Sequence, residues 1–237
     1  MRGVIRQGFD WHNHTGAHGM RQTGDNPWTL LPEHPPFVLA QDKPYLDAYN
    51  AYQTRYVGNW IHTGRVPEPR QGPIDAPVII LQQNPSYEGR PPDEELPQIE
   101  VGALRGALID EHSPHQGLEK PNSWWDRTCK VLIAKFGRER LARRVLSIEY
   151  FPYPSTRFGH TGLRLPSQAY TFGLVRHGLS VGSLFVIMRG AALWYGAVPE
   201  LYSQLDTTVF PSKNRQRAFM TAGNLPEKVF DRLCAAI

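Results

Sequence analysis

The sequence predicts an α/β fold in which a parallel sheet is covered on both faces by helices. Three observations predict it. Short apolar runs rich in β-branched residues recur along the chain, each too short to carry a helical face. Helical patterns stand between these runs, and such alternation is the mark of parallel strands joined by crossovers. Each run also stops at Pro, Gly or a polar residue, which places loops and polar side chains together at the strand ends.

Residues 1–40 are rich in Gly, Pro, His and Asn and have no sustained period. His12, His14 and His18 stand close together there, but no carboxylate or cysteine completes a ligand set, so a polar loop is the plainer reading and no metal is expected. From Pro44 to His62, the spacing of Leu46, Tyr49, Tyr52, Tyr56 and Trp60 predicts an amphipathic helix with an aromatic stripe. Such a stripe more often packs onto a domain than stacks bases. Residues 63–76 read as a Pro/Gly linker. The chain therefore divides into an N-terminal extension, 1–65, and an α/β domain, 66–237.

The first strand is Pro77-Val78-Ile79-Ile80-Leu81, ending in Gln82-Gln83-Asn84-Pro85-Ser86-Tyr87. A helix follows at Ile99–Asp110, then a loop from His112 to Asn122. A long helix is capped at Asn122 or Ser123 and runs to about Arg144, with Trp125, Leu132, Ile133, Phe136 and Leu141 inward. Cations fill its last turns, which suits the macrodipole. Val145–Phe151 makes a second strand, closed by Pro152 and Pro154. The next helix covers Ser167–His177 with Gly178 as C-cap. Leu184–Met188 is a third strand, followed by Arg189, Gly190 and a short helix to Tyr195. Thr207–Phe210 is a fourth strand, and Pro226–Ala236 a closing helix.

Composition narrows the function classes. Net charge is +4 with a pI near 9.1, which permits a polyanionic partner without requiring one. Cys129 and Cys234 are the only cysteines, too few for a disulfide framework, an iron–sulfur cluster or a four-cysteine zinc site. Arg2 and Arg6 precede no apolar core, so no secretory leader is expected. No apolar run approaches the ~18–20 residues of a membrane span. The expectation is a cytoplasmic monomer, or a nucleoid or nuclear one if it acts on DNA, with no membrane partner.

Phosphate-loop, dinucleotide-binding, nucleophile-elbow and zinc-deaminase patterns are absent. What remains lies at three strand ends: Gln83-Asn84-Pro85-Ser86-Tyr87, Glu149-Tyr150-Phe151-Pro152-Tyr153-Pro154, and Phe210-Pro211-Ser212-Lys213-Asn214-Arg215 continuing to Asn224-Leu225-Pro226. In this order they resemble the uracil-DNA glycosylase superfamily, over roughly residues 77–230.

The resemblance implies a three-layer α/β/α sandwich around a central four-stranded parallel sheet, and hydrolysis of the N-glycosidic bond of a flipped base in DNA without a cofactor. Asn84 takes the place of the family's water-positioning residue. Gln83, Tyr87, Glu149, Tyr150 and Phe151 would form the base pocket. Phe210 stands where the family often has a His, and a phenyl ring cannot donate the hydrogen bond that His provides. Ser86, Arg189, Ser212, Lys213, Asn214 and Arg215 would contact DNA. Glu149 sits near the family's base-reading Asn; if ionised it only accepts hydrogen bonds and would suit a base edge carrying an amino group. The substitution at Phe210 equally fits a non-catalytic member that binds nucleic acid or protein.

Overall fold

A computed structural model describes residues 25–53, 56–87, 98–118, 124–214 and 219–237. The chain is mixed α/β. Its sheet has five strands: β1 (Arg70–Gln71), β2 (Val78–Gln82), β3 (Val145–Glu149), β4 (Leu184–Ile187) and β5 (Val209–Pro211), in the order β1-β3-β2-β4-β5. β2 pairs in parallel with β3 and β4, and β4 with β5, while β1 runs antiparallel along β3. The expected four parallel strands are present, but the sheet is five-stranded and mixed. Two-residue β1 has no apolar pattern to betray it. It is held by the Arg70 guanidinium, buried and donating to the carbonyls of Gly72, Leu108 and Asp110 at 3.1 Å each.

Alternation along the strands feeds two cores. Ile79, Leu81, Leu146, Ile148, Phe185 and Ile187 join one cluster; Val78, Ile80, Val145 and Val186 join the other. Helices α1 (Lys43–Tyr52), α2 (Gln98–Ile109), α5 (Gln168–Ser180), α6 (Ala191–Ala197) and α7 (Glu200–Ser203) contribute to the first. Helices α3 (Trp124–Phe136), α4 (Arg138–Arg144) and α8 (Glu227–Ala236) contribute to the second.

Three helix boundaries differ from expectation. The stripe from Leu46 to Trp60 is not one helix: α1 stops at Tyr52, and the chain folds back so that the Asn50 amide bonds both backbone groups of Ile61. Leu46 is the buried contact, whereas Tyr52, Tyr56 and Trp60 are 85%, 68% and 44% exposed. The long helix is broken into α3 and α4 by Gly137, at φ +80° and ψ 152°. Gly178 lies within α5 and does not cap it. A Cβ there would lie 2.3 Å from Ile79 Cδ1 and 2.9 Å from Phe185 Cζ, so the residue is Gly to let the helix approach the sheet.

The described part of the N-terminal extension packs onto the α/β domain. Trp28, Leu31, Phe37, Leu39, Leu46 and Ile61 belong to the same core cluster as Ile79 and Leu81. Buried Asp42 ties this segment down, accepting from the Tyr153 hydroxyl at 2.9 Å and the Ser167 amide at 3.0 Å. No described helix is long and apolar enough to cross a membrane.

Candidate functional site

Chain order sends β2 to β3 on one side and then to β4 on the other, so the crevice beyond their carboxyl ends is the topological switch point where such sheets take ligands. A cavity of about 580 Å³ lies there. Six of the sequence-predicted residues line it: Gln83, Asn84, Ser86, Tyr87, Glu149 and Arg189.

Asn84 follows β2 by two residues, in the loop that Pro85 enforces. Its Nδ2 donates to the Pro85 carbonyl at 2.9 Å, to Ser155 Oγ at 2.9 Å and, more weakly, to the Ser155 carbonyl at 3.5 Å. Two of these partners are carbonyls, pure acceptors, and they fix which end of the amide is nitrogen. Ser155 Oγ in turn donates to the Arg157 carbonyl at 3.0 Å. The amide is tethered through its nitrogen, and Oδ1 accepts nothing from the described residues. An oriented acceptor is thereby presented at the cavity.

Glu149 ends β3 directly opposite Gln82 of β2. Its Oε2 is shut off from solvent and has no hydrogen-bond partner among the described residues. Burial, reinforced by the Glu68 carboxylate, holds the Glu149 carboxyl well above the usual carboxylate range, with Arg189 pulling the other way. The shift favours the protonated acid, which offers an O–H donor beside a carbonyl acceptor, where the ionised carboxylate would only accept.

The aromatic wall has two parts. Tyr87 stacks on His62 with centroids 3.5 Å apart and planes 8° apart, so one ring face is already covered. Burial, aided by the Arg65 cation, lowers the His62 pKa. His115, whose ring stacks on Trp125 at 3.7 Å, sits 3.1 Å from Ser147 Oγ. Burial pulls His115 down to about 3, so the ring is neutral and structural in character.

Other expected site residues lie elsewhere. Tyr150 and Phe151 are fully buried in the core, Tyr150 against Trp194 and Phe172, Phe151 against Tyr153, Phe158 and His160; neither lines the cavity. Phe210 is 5% exposed in the second core with the Arg232 guanidinium 5.3 Å from its ring centroid. Ser212 is buried and donates to the Met188 carbonyl, while Lys213 and Asn214 are exposed on a loop whose backbone amides donate to Asn224. Arg215 and the His12, His14, His18 group lie outside the described residues.

Sequence reasoning missed Arg65, Glu68, His115, Trp124, Ser147 and Arg127 as cavity residues. Ser147 left a signal: a lone hydroxyl inside an otherwise apolar strand, two positions from Glu149 and therefore on its face. Among the described residues, no group of three or more His, Cys, Asp or Glu is placed to hold a metal ion.

No known protein family, curated protein or solved structure matches this chain.

Proposed function

We propose that this chain is a uracil-DNA-glycosylase-like protein that hydrolyses the N-glycosidic bond of a base flipped into the strand-end cavity. The observation that carries the reading is Asn84, held by its nitrogen with Oδ1 taken by none of the described residues, at the rim of a cavity that Glu149 also lines. The alternation of strands and helices on two sheet faces, the three-layer arrangement of that superfamily, supports it.

Cleavage leaves an oxocarbenium-like sugar and an electron-rich base, and both must be stabilised. Asn84 Oδ1 accepts a hydrogen from the attacking water and so directs its lone pair at the sugar carbon. Tyr87, backed by His62, offers its uncovered face to the base. Glu149, in the protonated form its burial favours, presents a donor and an acceptor together, the pair that a base edge with a carbonyl and a ring N–H requires. Arg65 and Arg189 line the cavity as sites for backbone phosphate.

The test is base release from DNA oligomers, single-stranded and paired, each carrying one deaminated or modified base. Wild type releases a base, and Asn84→Ala lowers the rate by about 10²-fold or more, the scale of a lost proton-directing group. A second reading, binding without cleavage, is favoured by Phe210, which lies in the core and gives the cavity no donor where the superfamily often has His. DNA binding with no base release from any oligomer would select it.

A further inference from the structure

We infer that Glu149 protonates the departing base, so that the site acts on bases that leave poorly as anions, purines above all, in preference to uracil. This rests on the hydrolytic reading of Asn84.

Glu149 is the acid of the cavity best placed to carry a proton. Glu149 lines the cavity and is only half-buried, while its Oε2 is shut off from solvent with no hydrogen-bond partner among the described residues. A buried oxygen without a partner is costlier as a carboxylate than as a neutral acid, so this setting favours the protonated form. Burial and the Glu68 carboxylate both favour the protonated form, against Arg189. The other ionisable groups around the cavity are Arg65, Tyr87, Glu100, His115 and Arg127. Glu149 ends β3 opposite Gln82, the last residue of β2, and Asn84 lies two residues beyond Gln82. Water and proton donor thus come from adjacent strand ends.

The step balances without any further reactant. The C1′–N bond breaks, and its electron pair goes to the base. The Glu149 O–H proton transfers to a ring nitrogen or exocyclic oxygen of that base. Water held by Asn84 adds to C1′ and releases a proton to solvent, from which the Glu149 carboxylate recovers its own. General acid assistance matters most when the leaving anion is strongly basic, as for a purine, and least when it is already stable, as for uracil and more so for 5-fluorouracil. The cavity, about 580 Å³ and walled by Tyr87, Trp124 and Trp125, has the size and the aromatic lining for a two-ring base.

The experiment compares wild type, Glu149→Gln and Asn84→Ala in single-turnover base release. The oligonucleotides differ in one nucleotide: 5-fluorouracil, uracil, hypoxanthine or adenine. Folding of each variant is checked by circular dichroism. Wild type releases the purines. Glu149→Gln loses about 10²–10⁴-fold on them and less than about tenfold on 5-fluorouracil, while Asn84→Ala loses activity on every base. An equal Glu149→Gln loss on all bases would make Glu149 a binding group only and overturn the inference, leaving hydrolysis intact. Release of uracil but no purine by wild type would overturn it too. Wild-type inactivity on the whole series, or cleavage indifferent to Asn84→Ala, would remove the hydrolytic reading beneath it.

Discussion

A carboxyl group whose pKa is raised by folding holds its proton more tightly in the folded chain than in the unfolded one. Its contribution to stability is complete below the ordinary Glu value and fades as pH climbs through the raised folded value. Glu149 is such a group, with burial as the main cause. Glu149→Gln keeps the shape and deletes the titration, so the variant should melt higher than wild type at about pH 8 and lose that margin towards about pH 4. Thermal melts at both pH values check this; a margin independent of pH would mean that the carboxyl is not titrating in the fold. The histidines work in the opposite direction. Burial lowers His115 to about 3 and His160 to about 4, so the folded chain refuses protons that the unfolded chain accepts near pH 6.5. Stability should fall as pH drops below about 6.5, by up to about 1.4 kcal/mol per pH unit for each ring, until the folded values are reached. In His160→Leu that slope should shrink, which denaturant melts across the range measure whatever the packing change costs. At this scale the strand-end residues Asn84, Tyr87, Glu149 and Arg189 were legible, because a polar residue after a buried run has few places to go. Arg65 and Glu68 were hidden in a Pro-rich stretch, and the upward shift of Glu149 comes from burial first and the Glu68 carboxylate second, neither of which a local pattern reveals. Tyr150 and Phe151 were misplaced because an aromatic after a strand reads equally well as a pocket wall or as core.

Elements were legible where one period persisted and illegible where a single glycine overrode it. The apolar spacing from Trp125 to Leu141 runs straight through Gly137, yet the backbone there occupies a region essentially reserved for glycine. Gly137→Ala meets no neighbour within 4 Å, so its cost is purely conformational, about 1–3 kcal/mol, and equilibrium urea unfolding measures it. Gly178 is the reverse case, with ordinary helical backbone and no room. Alanine would gain up to about 1 kcal/mol of helix propensity and would still destabilise, because the added carbon drives into Ile79 and Phe185 at the sheet surface. The net loss should be about 1–3 kcal/mol, the range for overpacking a tight core. A Gly178→Ala protein as stable as wild type would mean that α5 can lift off the sheet without penalty. The short strand β1 belongs with these failures of pattern: Arg70 looks like a surface cation and is in fact buried as a three-carbonyl brace.

At the scale of the whole molecule, the described part of the extension before residue 66 packs onto the α/β domain and shares its core. Pro and Gly richness marks loops, and loops resemble linkers until their contacts are known. Trp28, Phe37, Leu39, Leu46 and Ile61 are each at most 3% exposed and share a cluster with strand residues Ile79 and Leu81. Burying each such side chain is worth about 1.5–3 kcal/mol, so together they match the ~5–15 kcal/mol that separates a folded domain from its unfolded chain. The polar ties act in the same sense, since without Asp42 the Tyr153 hydroxyl and the Ser167 amide lose a buried acceptor. A chain starting at Val66 should therefore fail to fold, giving weak amide dispersion and no cooperative thermal transition, whereas a chain starting at Asp25 should melt cooperatively. Nor is the effect confined to stability. Ile61 bridges to Ser155, and Ser155 holds the Asn84 amide, so residues 59–62 buttress the proposed water-positioning group through one intervening strand of contacts. Ser155→Ala separates the two roles: it leaves the core in place while removing the Asn84 Nδ2–Oγ bond. Base release should drop by about tenfold, the outcome expected when a supporting hydrogen bond to a catalytic group is lost. Stability should fall by no more than about 1–3 kcal/mol, the cost of losing the buried Oγ bonds with Asn84 and Arg157. Equal activity in Ser155→Ala and wild type would mean that the backbone carbonyls of Pro85 and Ser155 alone orient the amide.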